Sequence, residues 1–144
     1  MSIVSKHPFP VIGGVSSNQY VLGWQASDQC IDNTIEYCAP FSTTFTTAEI
    51  LRQFAIPENG TLKSFLVYVE LSSGETNGIP YTVRIDGVDT ALTVTQTLNT
   101  TGIYEVVADV PVTKNEKMSF QCDNTGNFGG TRTGSIAVLF ERAS

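Results

Sequence analysis

The sequence has few of the residues that usually build an active site. Its 144 residues include one histidine, and only 15% of them are aspartate, glutamate, lysine or arginine. His7 precedes Pro8 in an irregular terminal stretch, from which a Ser-His-Asp or Cys-His system would have to recruit it. The single histidine also excludes a histidine-based metal site. We therefore expect a protein that is not an enzyme, with no catalytic residue, cofactor or metal site.

Basic clusters and long apolar runs are missing as well. The net charge is −6 and no stripe of lysine and arginine occurs, so we expect no nucleic-acid partner. Apolar segments extend over only a few residues, so we expect no membrane-spanning segment and no membrane partner. The N-terminal stretch lacks the apolar centre of a secretory signal, which predicts synthesis in a reducing cytoplasm.

The three cysteines fit a reducing compartment. Their number is odd and no C-x-x-C spacing occurs, which argues against a zinc site. Cys122 alternates with Met118 and Phe120, and this alternation predicts a small buried side chain. We expect free thiols, with a Cys30–Cys38 bridge as the less favoured alternative.

The clearest local signal is a β-hairpin at Asp86-Gly87. Apolar residues alternate over 79–85 and again over 88–98, and Asp-Gly between such runs predicts a two-residue type I′ turn. The predicted register keeps apolar side chains on one face. It pairs Ile85 with Val88, Val83 with Thr90, Tyr81 with Leu92, Ile79 with Val94, and Arg84 with Asp89.

The remaining pattern predicts an all-β, jelly-roll-like antiparallel β-sandwich of about eight strands over 20–144, preceded by an extended N-terminal arm over 1–19. The nearly continuous apolar run over 135–140 predicts a central strand packed on both faces. The segment 48–56 is ambiguous, because Thr46-x-x-Glu49 resembles a helix capping box while the residues after it partly alternate. We assign it to a strand. Other predicted strands cover 20–24, 64–71, 104–110 and 118–122.

Candidate contact residues lie in less regular regions. The acidic pairs Asp28/Asp32 and Asp86/Asp89 fit solvated turns better than a calcium loop. For Trp24, burial at the edge of the sandwich is favoured over a ligand platform. Phe128, in a loop of Gly and Asn over 123–134, would suit an intersubunit contact. The candidate interaction surface comprises Phe9, Trp24, Asn77 and Phe128.

The second half of the chain resembles a known type of module. Residues 61–140 contain TLKSFLVYVELSSG, YTVRIDGVDTALTVTQ, VADVPVTKNEKMSFQCDN and the start of GSIAVLFE. This order is similar to the small jelly-roll modules, of the C1q/tumour-necrosis-factor type, found in structural proteins of tailed bacteriophages. Val110-Pro111-Val112 and Met118-Ser119-Phe120 match that pattern, whereas Asn115-Glu116 stands where Gly-Asp is usual. The pattern carries no catalytic residue.

The resemblance implies a non-enzymatic component of a virion, made in the host cytoplasm. A capsid decoration (cement) or head-fibre protein would bind the major capsid protein or other virion proteins and form a homo-oligomer, a trimer by preference. In such modules the N-terminal arm attaches to the particle. The alternative is a receptor-binding or carbohydrate-binding module of a tail or fibre. Its loops 72–78 and 123–134 would then contact a host-surface glycan or protein.

Overall fold

The computed structural model describes residues 18–42, 44–128 and 130–144. In these ranges the chain forms nine β-strands and one 3₁₀ helix at Glu49–Arg52. No helix in this part of the chain is long and apolar enough to cross a membrane. The strands are β1 (Gln19–Cys30), β2 (Ile35–Cys38), β3 (Phe54–Ala55), β4 (Gly60–Ser73), β5 (Ile79–Ile85), β6 (Val88–Gln96), β7 (Gly102–Val112), β8 (Lys117–Asp123) and β9 (Gly130–Arg142).

The strands form two antiparallel sheets stacked as a sandwich. Sheet A has the order β1-β9-β4-β7, and sheet B has the order β2-β8-β5-β6, with the two-residue β3 also paired to β8. Apart from β3, each connection carries the chain to the opposite sheet, except the β5–β6 hairpin. This nested order of the eight strands other than β3 is that of a jelly roll, so the predicted fold class is confirmed.

The core fills the space between the sheets because each long strand places alternate side chains inward. Strand β9 lies between β1 and β4, which confirms its predicted central position. Its Ile136, Val138 and Phe140 belong to the main core. Its Ala137 and Leu139 join a second buried cluster on the other face, with Val21 and Leu66. Both faces of this strand are therefore apolar.

The hairpin is confirmed, but its register is only partly as predicted. Asp86 and Gly87 have φ angles of 48° and 77°, as a type I′ turn requires. Ile85 pairs with Val88 and Arg84 with Asp89 as expected, whereas Tyr81 pairs with Val94 rather than Leu92, and Ile79 with Gln96. One residue separates Arg84 from Thr82, whereas three residues separate their partners Asp89 and Thr93, which makes a bulge. A shift of two residues preserves the faces, so Leu92 and Val94 are still buried.

The bulge has a local hydrogen-bonding cause. The Thr90 hydroxyl donates to the Val83 carbonyl at 2.7 Å and accepts from the Leu92 N–H at 3.2 Å. The side chain thus replaces backbone partners that a regular ladder would supply. A threonine among many threonines in this strand gives no sequence signal for such a bulge.

The strand prediction for 48–56 is wrong for its first half. Residues Glu49–Arg52 form a 3₁₀ helix, and β3 covers only Phe54–Ala55. The Arg52 guanidinium donates to the Thr44 carbonyl at 3.1 Å, and the Glu49 carboxylate accepts from Ser119 of β8 at 2.7 Å. These side-chain hydrogen bonds hold the segment in a helical turn, so it does not form the backbone hydrogen bonds of a strand. Strand β1 also continues to Cys30, beyond the predicted end at Trp24.

The expectation of free thiols, and its Cys30–Cys38 alternative, are corrected by the structure. Cys30 of β1 and Cys122 of β8 form a disulfide that joins the two sheets, with their Cα atoms 6.8 Å apart. Cys122 is fully buried as predicted, and Cys38 is the buried free cysteine. Burial raises the pKa of the Cys38 thiol well above its ordinary value, so this thiol is unreactive.

The predicted N-terminal arm lies outside the described residues up to Ser17. Asn18 and Gln19 are described, and Gln19 already belongs to β1, opposite Glu141 of β9. The sandwich therefore begins at Gln19, the last residue of the predicted arm.

Candidate functional site

Four loops meet at one end of the sandwich. They connect β1 to β2, β4 to β5, β6 to β7 and β8 to β9, and antiparallel pairing brings them to the same end. Loops on a rigid scaffold are the usual place for binding residues. Two of the predicted contact residues, Asn77 and Phe128, lie in these loops.

Asn127 is the centre of this loop cluster. Its side-chain oxygen Oδ1 accepts the backbone N–H groups of Thr76 at 2.9 Å and of Asn77 at 2.8 Å. Its carbonyl accepts the Asn33 N–H at 2.9 Å. Asn127 is fully buried, so these bonds are shielded from water and hold three loops in one arrangement.

Two further asparagines extend the network. The Asn124 amide donates to the carbonyls of Cys30 at 3.3 Å and Ile31 at 3.2 Å. The Asn33 side chain accepts the Gly126 N–H at 2.9 Å. Gly126 has a φ of 77°, a value that few residues other than glycine adopt readily. The loop β8–β9 is thus fixed on both sides of Gly126.

A buried carboxylate lies under the same loops. Glu75 accepts from the Ser72 hydroxyl at 2.9 Å and from the Thr131 hydroxyl. Burial alone would raise the pKa of Glu75, but the hydrogen bonds from Thr131 and Ser72 outweigh it and lower the pKa. Because both donors are side chains of the sandwich itself, this carboxylate is held as a structural acceptor.

The four predicted contact residues lie in different parts of the chain. Asn77 and Phe128 come to the same loop cluster and are exposed, Phe128 to 73%. Trp24 lies in β1 with its backbone opposite Ile136, and its side chain is outside the described part of the structure. Phe9 lies outside the described residues. Ile31, which the sequence did not single out, is 55% exposed in the neighbouring β1–β2 loop.

A charged cluster on the outer face of sheet B was only partly predicted. The Arg84–Asp89 pair is confirmed at 2.8 Å. Arg84 also contacts Glu49 at 2.9 Å, and its guanidinium carbon lies 5.8 Å from the centre of the Tyr37 ring. The Glu49 contact could not be predicted, since 35 residues separate the partners.

The described residues contain no constellation suited to catalysis. No group of three His, Cys, Asp or Glu side chains in the described ranges could hold a metal ion. Asp28 lies in β1, where its carboxylate accepts the N–H of the loop residue Phe45 at 2.8 Å. Glu36 accepts the Ile31 N–H at 2.6 Å, and burial raises the pKa of its carboxyl. These acids are engaged by backbone groups, which argues for structural roles.

Several large apolar side chains are exposed instead. They lie in the 3₁₀ helix, at the hairpin tip and on the outer face of β7. The exposed fractions are 76% for Ile50, 65% for Leu51, 67% for Val88, 64% for Ile103 and 75% for Val107. The β7 pair had a sequence signal, since Ile103 and Val107 share the parity of the outward-facing Glu105 and Asp109.

The chain matches no protein-family model and no curated protein. Among solved structures it is similar to the native structure of a family 35 carbohydrate-binding module from Clostridium thermocellum. The sequence identity is 11% and the TM-score is 0.39, over 83% of this chain and 90% of that chain. At this level the similarity does not bear on what the chain binds.

Proposed function

We propose that this domain is a non-enzymatic structural subunit of a virion, a capsid decoration (cement) or head-fibre protein that acts by binding other protein subunits. The observation that carries the proposal is the exposure of large apolar side chains on both sheets of a jelly roll. Ile50 and Leu51 lie over sheet B, and Ile103 and Val107 lie on sheet A. Contiguous exposed apolar surface is typical of sites that contact another macromolecule.

The state of the polar groups supports a role without chemistry. Glu75 and Glu36 are engaged by hydroxyl or backbone donors, and the Tyr81 hydroxyl bonds to Thr133 at 2.9 Å inside the core. A general base or nucleophile would need a free partner facing a cleft. In a protein that only binds, rigid loops and apolar surfaces are sufficient. The sequence resemblance to phage jelly-roll modules points in the same direction.

The proposal is tested by locating the protein. Antibodies raised against the recombinant chain should label purified particles of the virus that encodes it, and mass spectrometry of washed particles should detect the chain. The antibodies should not label particles from which the gene has been deleted. A chain found only in the soluble fraction of infected cells, with washed particles free of it, would contradict the proposal.

A second candidate, a receptor-binding or glycan-binding module, is favoured by the loop cluster around Asn127. That buried network presents Phe128 at 73% exposure beside Asn77. A preorganised loop loses little entropy on binding, and an exposed aromatic ring can stack on a sugar or dock on a protein.

The loop cluster can be tested with Phe128→Ala and Asn77→Ala. If it binds a receptor, each substitution should lower attachment of the labelled protein to host cells by about tenfold or more, as expected for a central contact. Phe41→Ala is the matched control, because Phe41 is 63% exposed in a different loop. Equal attachment by all three variants would argue against this candidate.

A further inference from the structure

The chain contains two Asn-Gly pairs, a dipeptide that can modify itself. They are Asn59-Gly60 and Asn77-Gly78. The backbone nitrogen of the glycine can attack the side-chain carbonyl carbon, Cγ, of the asparagine, because a glycine has no Cβ to hinder the approach. As the new N–Cγ bond forms, the bond from Cγ to the amide nitrogen breaks, and that nitrogen leaves as ammonia with the proton of the glycine nitrogen. The product is a five-membered succinimide ring.

Water completes the reaction by opening the ring. Attack of water at Cγ breaks the new bond to the glycine nitrogen and gives aspartate. Attack at the main-chain carbonyl carbon gives isoaspartate, in which the backbone runs through the side chain. Both products carry one carboxylate in place of the amide. Water is the only co-reactant, so the fold alone decides which pair reacts.

The fold restrains Asn59-Gly60. The Asn59 side-chain oxygen accepts the Lys114 N–H at 2.8 Å, and the Asn59 carbonyl accepts the Ala143 N–H at 3.0 Å. Gly60 is the first residue of β4 and is paired on both sides, with β7 and with β9. Attack would have to turn the Asn59 side chain away from Lys114 and draw the Gly60 nitrogen out of the sheet. This pair therefore reacts only after local unfolding.

Asn77-Gly78 is not restrained in this way. It lies in the loop before β5, and the Asn77 side chain is exposed. The Asn77 amide nitrogen donates only over a long distance, 3.5 Å, to the Thr76 hydroxyl. The short bond from the Asn77 N–H to Asn127 is on the other side of the Asn77 Cα and holds neither reacting group. Exposed side chains change rotamer within nanoseconds, so the Asn77 Cγ can reach the Gly78 nitrogen without unfolding.

Packing explains why position 78 is a glycine. A Cβ there would lie 2.8 Å from the Gln96 carbonyl oxygen and 2.9 Å from the methyl carbon of Thr95. Both atoms belong to β6, the hairpin partner of β5, so any larger residue would overlap this strand. The fold thus requires a glycine directly after an exposed asparagine, which is the reactive order.

We propose that Asn77 is a site of spontaneous deamidation in the folded protein, and that the fold protects Asn59. The reaction adds one negative charge to a chain whose net charge is −6. The charge appears in the loop cluster that also presents Phe128. Isoaspartate would in addition lengthen the backbone between the loop and β5. The chemistry does not depend on the proposed function, whereas an effect on attachment would require that the loop cluster binds a receptor.

The test ages the full folded chain in buffer at physiological pH and temperature. Peptide mapping by mass spectrometry then measures deamidation separately at the two asparagines. Asn77 should react about tenfold faster than Asn59 or more, because only Asn59 must wait for local opening. The same chain unfolded in urea is the control. Glycine follows both asparagines, so without the fold the two rates should become similar.

Two variants identify the product. Asn77→Asp carries the new charge from the start, and Asn77→Ser removes the reacting amide but retains Gly78. On ion exchange, the aged wild type should develop an acidic species that elutes with Asn77→Asp, and aged Asn77→Ser should not develop it. Equal rates at the two asparagines in the folded chain, or an unmodified Asn77 over a period in which the unfolded chain reacts, would overturn the inference. Labelling of particles by antibody does not depend on Asn77, so that test can succeed or fail independently.

Discussion

The disulfide between Cys30 and Cys122 makes the most direct prediction about stability. It joins β1 of sheet A to β8 of sheet B and closes a sequence separation of 92 residues. The chain-entropy treatment of a loop of that length gives a stabilisation of about 4–5 kcal/mol, acting through the unfolded state. Single domains are commonly stable by only about 5–15 kcal/mol, so reduction should remove a large part of the total.

The assay is urea unfolding followed by tryptophan fluorescence, with and without reductant. The air-oxidised chain should have a higher denaturation midpoint, and Cys30→Ala/Cys122→Ala should behave like the reduced wild type. Cys38→Ala is the matched control, because it removes a buried cysteine but leaves the bridge intact. This control should still lose stability on reduction.

Thiol counting tests the same bridge independently. In denaturant without reductant, one thiol per chain should react, that of Cys38, and three should react after reduction. Three reactive thiols in the air-oxidised chain, or equal denaturation midpoints before and after reduction, would refute the reasoning.

Three further outcomes follow from particular contacts, each measured by urea unfolding. Gly60→Ala should destabilise by about 1–3 kcal/mol, because a Cβ there would overlap the Glu141 carbonyl oxygen. Asn127→Ala should cost about 1–3 kcal/mol, because the Asn77 N–H and a neighbouring N–H lose their acceptor; an unchanged midpoint would show that water replaces it. The pKa of Glu75 is lowered, so its contribution is complete above the unfolded-state pKa and is lost as pH falls through the folded-state value. Glu75→Gln should therefore lose less stability than the wild type between pH 7 and strongly acidic pH, and equal losses would contradict this assignment.

The parts of the fold that could be predicted depend on local chemistry. A type I′ turn needs positive φ at both central residues, and Asp-Gly adopts it at little cost, so the hairpin was visible in the sequence. After Ser135, the run over 136–140 is apolar on both faces of the strand, and a strand that lies between two others can bury both faces. Alternation in β7 likewise assigned its inward-facing residues correctly.

The parts that could not be predicted depend on contacts between distant segments. Cys30 and Cys122 meet because β1 and β8 lie in facing sheets, and no spacing along the chain reports that. The loop cluster depends on Asn127, whose side-chain oxygen accepts N–H groups 50 and 51 residues away. A loop rich in Gly and Asn predicts that its asparagines are turn residues, and only the fold shows that Asn127 is buried.

The exposed apolar residues of β7 and of the 3₁₀ helix show where a sequence pattern can still point to an outward-facing apolar surface. In β7 the inward-facing residues pack against the core. Ile103 and Val107 are apolar as well, but they lie on the outward face and do not contact the core. Their exposure follows from the same alternation that buries Tyr104 and Val106 in part. Ile50 gave no comparable signal, because an apolar pair in an ambiguous segment is expected to be buried. Only the structure shows that the neighbouring charged side chains face inward and leave this pair exposed. Surplus apolar residues on the outward parity of an otherwise regular strand are therefore the ones to substitute first when the partner of a jelly roll is sought.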